Sequence, residues 1–77
     1  MDVEVRCEVA GTVTRVAVPP GGDVTLGGAV VFVEAMKMDI PVVAPVAGTI
    51  TAVHVSEGDA VAEKQVVATV TPAAPGA

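Results

Sequence analysis

Aromatic residues are nearly missing from this chain. Among 77 residues there is no Trp and no Tyr, and Phe32 is the single Phe. A surface without stacking rings, whose four Lys and Arg form no cluster, argues against nucleic-acid binding. Cysteine is equally scarce. Cys7 stands alone, so no internal disulfide can form, and in an Ala/Val-rich stretch it reads as a small buried hydrophobe. No apolar run approaches membrane-spanning length, and no charged-then-apolar leader opens the chain. A membrane is therefore not an expected partner, and a cytoplasmic location is expected.

What the chain does contain is valine, alanine and punctuation. Its length allows one domain at most, with a core that has little margin. Half of the residues are apolar, chiefly Val and Ala, and eight Gly and six Pro divide the sequence into short segments. β-Branched Val favours pleated, half-buried strands, so the composition predicts an all-β fold. Nine acidic residues against four basic ones give a formal charge of −5, as on an ordinary solvated surface.

The sequence is one unit written twice. Sliding it by 37 residues lays VAGTVTRVAVPPGGDV (9–24) over VAGTITAVHVSEGDAV (46–61). The register holds without a gap from Met1 against Met38 to Val33 against Val70, and 14 of these 33 positions are identical. Gly11 and Gly48 each open an alternating run, which argues a half-buried strand. Gly21 and Gly58 then mark turns, and a last apolar run follows in each half. The grammar predicts four strands per unit: 3–7, 11–16, 23–25 and 29–35, then 38–43, 48–53, 60–62 and 66–71. Pro41 and Pro45 cannot donate to a ladder and belong at edges or strand ends.

Neither unit can bury its apolar face alone. Packed together they predict a flattened barrel, a barrel-sandwich hybrid of two four-stranded sheets with pseudo-two-fold symmetry. One folded unit is expected over 1–70, with quasi-repeats 1–33 and 38–70 joined by a hairpin at 34–37. Residues 71–77, TPAAPGA, lack core-forming side chains and are expected to be a tail. The starting Met and short tail favour a free subunit over an excised domain.

The joint reads EAMKM, Glu34 to Met38. Two-fold symmetry maps it onto the chain termini, so Lys37 should project at the opposite end of the molecule. Pairing across the joint leaves Met36-Lys37 as a two-residue loop, a place that favours Asn and Gly. This chain uses Gly freely elsewhere, and a local rule broken at one point indicates function. An exposed lysine is ordinarily only a solubilising charge, but two flanking methionines make a soft, adaptable contact surface. Lys64, in the polar stretch AEKQ, needs no such reading, and His54 is a lone surface or edge imidazole. No Ser/His/Asp order, metal-ligand spacing or phosphate-cradling loop is present. The chain is therefore not expected to be a catalyst by itself.

From Val3 to Val70, the paired strands, the Gly-x-x-Val turns and GGAVVFVEAMKM resemble the biotinyl domain of biotin carboxyl carrier proteins. Lipoyl carrier domains share the fold, but their tips typically read Asp-Lys-Ala, whereas Ala-Met-Lys-Met is the biotin form. Two departures exist. The halves align without room for the "thumb" insertion of some members, and Lys64-Gln65 replaces Gly27-Gly28 in the second unit.

The resemblance implies covalent biotin on Lys37, with Glu34, Ala35, Met36 and Met38 read by a biotin protein ligase. That ligase would form the biotinyl adenylate, and the neutral Lys37 amine would attack it to give an amide. Removal of the amine's proton would fall to the ligase. A biotin carboxylase would then load the ureido nitrogen with a carboxyl group, using ATP and bicarbonate. A carboxyltransferase would pass that group to an acyl-CoA, as in fatty acid metabolism, or to a keto acid. The rival readings are a lipoyl carrier and an unmodified binding adaptor.

Overall fold

Alternating valines become strands wherever the sequence repeats them. The computed structural model describes residues 2–73 and contains eight strands. They are β1 (Val3–Arg6), β2 (Gly11–Val16), β3 (Asp23–Val24), β4 (Ala29–Ala35), β5 (Met38–Val43), β6 (Gly48–Val53), β7 (Ala60–Val61) and β8 (Val66–Pro72). Each lies within one residue of its expected bounds. The body measures 42 × 17 × 17 Å.

The sheets are not the repeats. One sheet has the order β1-β8-β6-β3 and the other β5-β4-β2-β7, so each half gives two strands to each sheet. Only β2–β4 and β6–β8 pair within a half, whereas β1–β8, β2–β7, β3–β6 and β4–β5 join the two halves. Short loops such as 7–10 carry the chain from one sheet to the other. Burial against the opposite half is therefore accompanied by backbone pairing with it.

The two-fold extends to single hydrogen bonds. Gly21 N–H donates to the Ile50 carbonyl and Ile50 N–H to the Gly22 carbonyl, at 2.7 and 2.8 Å. Their mates join Gly58 to Val13 and Val13 to Asp59 at the same two distances. The core is built of mated side chains as well: Val5 with Val42, Val13 with Ile50, Val24 with Val61, Val30 with Val67 and Val33 with Val70 are all buried. Cys7 and its mate Ala44 are each 1% exposed, so the thiol does fill a small apolar place.

Bulges explain where alternation fails. The β4–β5 register shifts between Ala29 and Val31, and the β1–β8 register shifts at the equivalent place. An extra residue there bends the strand, so the adjacent Val30 and Val31 are both fully buried, as are Val67 and Ala68.

The tail begins later than expected. β8 continues through Thr71, opposite Thr49, and Pro72, opposite Gly48, and Ala73 N–H donates to the Ala47 carbonyl at 2.9 Å. Ladder pairing needs no apolar side chain. Beyond Val70, where β1 ends its pairing, β8 has a partner on one side only, so the missing Pro72 donor is tolerated. The remainder of the expected tail, 74–77, lies outside the described residues. Pro41 lies in β5, an edge strand, as expected.

Gly11 and Gly48 have a reason that periodicity hides. A Cβ on Gly11 would collide with the Glu34 carbonyl, and one on Gly48 with the Thr71 carbonyl, both rigid backbone atoms. Gly11→Ala and Gly48→Ala are each expected to cost about 1–3 kcal/mol. For a domain of this size that lowers the melting temperature by roughly 4–24 °C. Thermal denaturation followed by circular dichroism measures both, and a loss at only one site would contradict the two-fold equivalence.

Candidate functional site

The hairpin of β4 and β5 sets the site. Cross-strand pairs run Phe32–Pro41, Val33–Ile40, Glu34–Asp39 and Ala35–Met38, leaving Met36 and Lys37 as the two-residue turn. Their φ angles are 53° and 67°, so both central residues lie in the left-handed region, as a type I′ turn requires. Asn-Gly would adopt this turn with little strain, whereas Met-Lys pays for its side chains in backbone energy. Buried Val33 anchors the hairpin to the core just below the tip.

The tip presents soft apolar surface around a cation. Met36 is 94% exposed and Met38 64%; among the described residues the other exposed large apolar side chains are Leu26 at 71% and Val43 at 46%. Lys37 and the carboxylates Glu34 and Asp39 are exposed as well. Among the described residues the one ion pair joins Arg6 to Glu4, so no carboxylate clamps the Lys37 amine. Glu34 and Asp39 lie directly opposite each other, a like-charge pairing that disfavours the hairpin. The mates of this pair, Thr71 and Asp2, instead share a 2.9 Å hydrogen bond from the Thr71 hydroxyl. Glu34 in place of Thr71 thus exchanges a hydrogen-bonded pair for a charged one at the tip.

All five residues of EAMKM thus come together at the β4–β5 hairpin end of the barrel. The two-fold exchanges that end with the Asp2 and Ala73 end. The other singled-out residues lie elsewhere. His54 is exposed, with Nε2 2.9 Å from the Thr69 hydroxyl. Lys64 takes φ 69° where its mate Gly27 takes 80°, its N–H donates to the Cys7 carbonyl, and its own carbonyl accepts from Arg6. It is a turn residue in a glycine's place, and the substitution of Gly27-Gly28 by Lys64-Gln65 was its visible sign. Sequence reasoning missed Arg15, whose guanidinium lies 4.6 Å over the Phe32 ring on the outer face of the same hairpin sheet. Among the described residues, no three of His, Cys, Asp and Glu gather into a metal site, and no helix is long and apolar enough to cross a membrane.

In a carrier domain the protein presents a covalently attached group and the group does the chemistry. Residues 4–70 match the family described as "Biotin-requiring enzyme", and the chain belongs to that family. It is 38% identical over 71 residues to a biotinylated protein TB7.3 homolog of Mycobacterium leprae (strain TN), covering 92% of this chain and 100% of that protein. Two solved structures contain a similar domain. One is the Kluyveromyces lactis urea carboxylase, with TM-score 0.88 and 25% identity over 92% of this chain and 6% of that one. The other is a single-chain, multi-domain long-chain acyl-CoA carboxylase, with TM-score 0.86 and 33% identity over 97% of this chain and 7% of that one. The chain corresponds to one small part of each of those enzymes. It is a biotin carrier domain of biotin-dependent carboxylases, a non-catalytic component whose cofactor is covalent biotin.

The turn strain can be measured. Replacing Met36→Asn together with Lys37→Gly is expected to stabilise the domain by about 1–2 kcal/mol, which raises the melting temperature by roughly 4–16 °C. A melting temperature equal to or below that of the wild type would mean that the turn stores no strain.

Proposed function

We propose that Lys37 is the residue that carries biotin, and that the biotinylated domain moves a carboxyl group between the biotin carboxylase and carboxyltransferase sites of an acyl-CoA carboxylase in the cytoplasm. The observation that carries this reading is the unpaired, exposed amine of Lys37 at an apex whose backbone strain and exposed methionines the fold itself does not need. The alternative lysine, Lys64, has its backbone tied into a turn, its N–H donating to the Cys7 carbonyl.

The residues present fit an amide-linked biotin. The side chain of Lys37 extends the attachment point beyond the barrel, and Met36 and Met38 offer a ligase adaptable apolar contacts on either side. Glu34 and Ala35 complete the surface the ligase reads. Biotin, when attached, supplies the nitrogen that bears the carboxyl group. The chain's own contribution is mechanical. Strands β4 and β5, anchored by Val33, hold the amine at a fixed end of a rigid body, and tethering raises the local concentration of the attached group at both partner sites. The acyl-CoA acceptor is supported by the 33% identity to part of a long-chain acyl-CoA carboxylase.

Lys37→Arg separates chemistry from charge. Arginine keeps the charge but stays protonated, so it cannot act as the nucleophile. The exposed swap should change stability by no more than ~0.5 kcal/mol. Unchanged circular dichroism, loss of the biotin mass and streptavidin signal, and loss of ATP-dependent bicarbonate fixation onto acyl-CoA in the reconstituted carboxylase should coincide. Lys64→Arg should leave all three as in the wild type. Biotin that persists at Lys37→Arg and disappears at Lys64→Arg would overturn the assignment.

The methionines have their own test. Met36→Asp with Met38→Ala gives the tip the lipoyl-like form while keeping the lysine, and biotinylation by the ligase should become much slower. Unchanged kinetics would mean that the ligase does not read the methionines.

A further inference from the structure

The two-fold provides an internal control for every exposed residue: its mate occupies the same place in the same fold. Applied to the outer face of the β5-β4-β2 sheet, this control isolates one feature. Thr14, Arg15, Phe32 and Asp39 line an open groove of about 310 Å³ below the tip. Their mates are Thr51, Ala52, Thr69 and Asp2. The two threonines make the same bond in both halves, each hydroxyl donating at 3.3 Å, to the Phe32 carbonyl from Thr14 and to the Thr69 carbonyl from Thr51. The ring and the guanidinium occur only in the first half, on the sheet whose β4–β5 hairpin carries Lys37. In the other half, His54 lies against Thr69 instead. The barrel folds around Ala and Thr at the mate positions, so the fold does not require Arg15 and Phe32, the chain's single aromatic.

We propose that this groove is a resting site for the biotin group carried on Lys37 of the same chain. The proposal rests on the attachment at Lys37 argued above. Biotin's bicyclic head has an apolar thioether ring and a ureido group with one carbonyl acceptor and two N–H donors. The groove offers the matching set. The Arg15 guanidinium, 4.6 Å over one face of the Phe32 ring, can donate from its outer edge to the ureido carbonyl, the part of the ring it leaves open gives an apolar wall, and the Asp39 carboxylate can accept from a ureido N–H. The volume is at the lower end of the ~300–1,000 Å³ of small-molecule sites, as suits one small bicyclic head.

Reach is sufficient. Phe32 lies three residues below Ala35 on β4, roughly 10 Å at the usual strand rise, which is within the extended span of a lysine stem joined to biotin's five-carbon arm. A short flexible tether gives an effective concentration of the order of millimolar. An intrinsic dissociation constant of about 1 mM then suffices to park the arm half of the time. Such weak docking shields the head group between visits and still surrenders it to a partner enzyme.

The test uses the full chain, 15N-labelled, with the state of Lys37 read by intact mass. On biotinylation, backbone amide shifts should change at Thr14, Arg15, Phe32 and Asp39 as well as at the tip, with nuclear Overhauser contacts between the biotin ring protons and the Phe32 ring. Free biocytin at millimolar concentration should move the same groove resonances in the unmodified protein. Phe32→Thr and Arg15→Ala each install the residue that the other half already carries, so the fold should survive, and either should abolish the groove shifts. Capture of the biotinylated protein by streptavidin should be about 2-fold faster in each variant than in the wild type, because half of the wild-type arm is withdrawn.

Shifts confined to residues 35–38 in the biotinylated protein would overturn the resting site while leaving attachment at Lys37 intact. No biotin mass on Lys37, with biocytin still moving the groove resonances, would overturn the attachment and keep the groove as a biotin site. Groove shifts that appear only when biotin carboxylase is added would assign the face to a protein partner and overturn the proposal.

Discussion

The structure depends on an exchange of strands between two halves that cannot stand alone. Each half offers short valine strands with one apolar face, and the pairing order gives both sheets strands from both halves. Burial and backbone hydrogen bonding are thereby fulfilled by the same partner. Loss of one contact such as Ile50 to Gly22 would free a strand end as well as a side chain. A core of Val, Ala, Cys7 and one Ile, with no aromatic to supply large buried area, gains its stability from this interlocking.

That dependence leaves the tip free to vary. The hairpin is fixed below by Val33 and its register with β5, so the turn itself carries little of the fold. Strained φ angles at Met36 and Lys37, exposed methionines and a like-charge pair beside them are tolerated because the barrel is held elsewhere. The comparison of mates makes the distinction concrete. Where the fold needs a residue, as at Gly11 and Gly48 or Val33 and Val70, the halves agree. At Phe32 and Thr69, or Arg15 and Ala52, they differ.

Much of this was legible in the residues. The 37-residue repeat, the strand bounds and the two-residue turn at Met36-Lys37 follow from periodicity and from the place where the two units meet. Periodicity reports which face of a strand is buried but not which strand pairs with it, so the exchange between sheets was hidden. Close approach of backbone at Gly11 and Gly48 depends on register, which the bulges near Val13 and Ile50 help to set. Pro72 looked like the beginning of a tail because its side chain belongs to no core. Arg15 looked like one charge in an alternating strand until the pleat placed it over Phe32.

The amine at the apex also has a bookkeeping of charge. Acylation of Lys37 would remove one cation and shift the formal charge of the chain from −5 to −6. Locally the change is larger in proportion. Glu34 and Asp39, which in the unmodified tip surround a positive centre, would be left as two neighbouring carboxylates with no cation in the turn. Substrate and product of the attaching enzyme would therefore differ in their electrostatic field as well as in the group they carry. A binding surface tuned to the mixed tip would release the acidic one more readily, and a basic surface would prefer the domain only after it has been loaded.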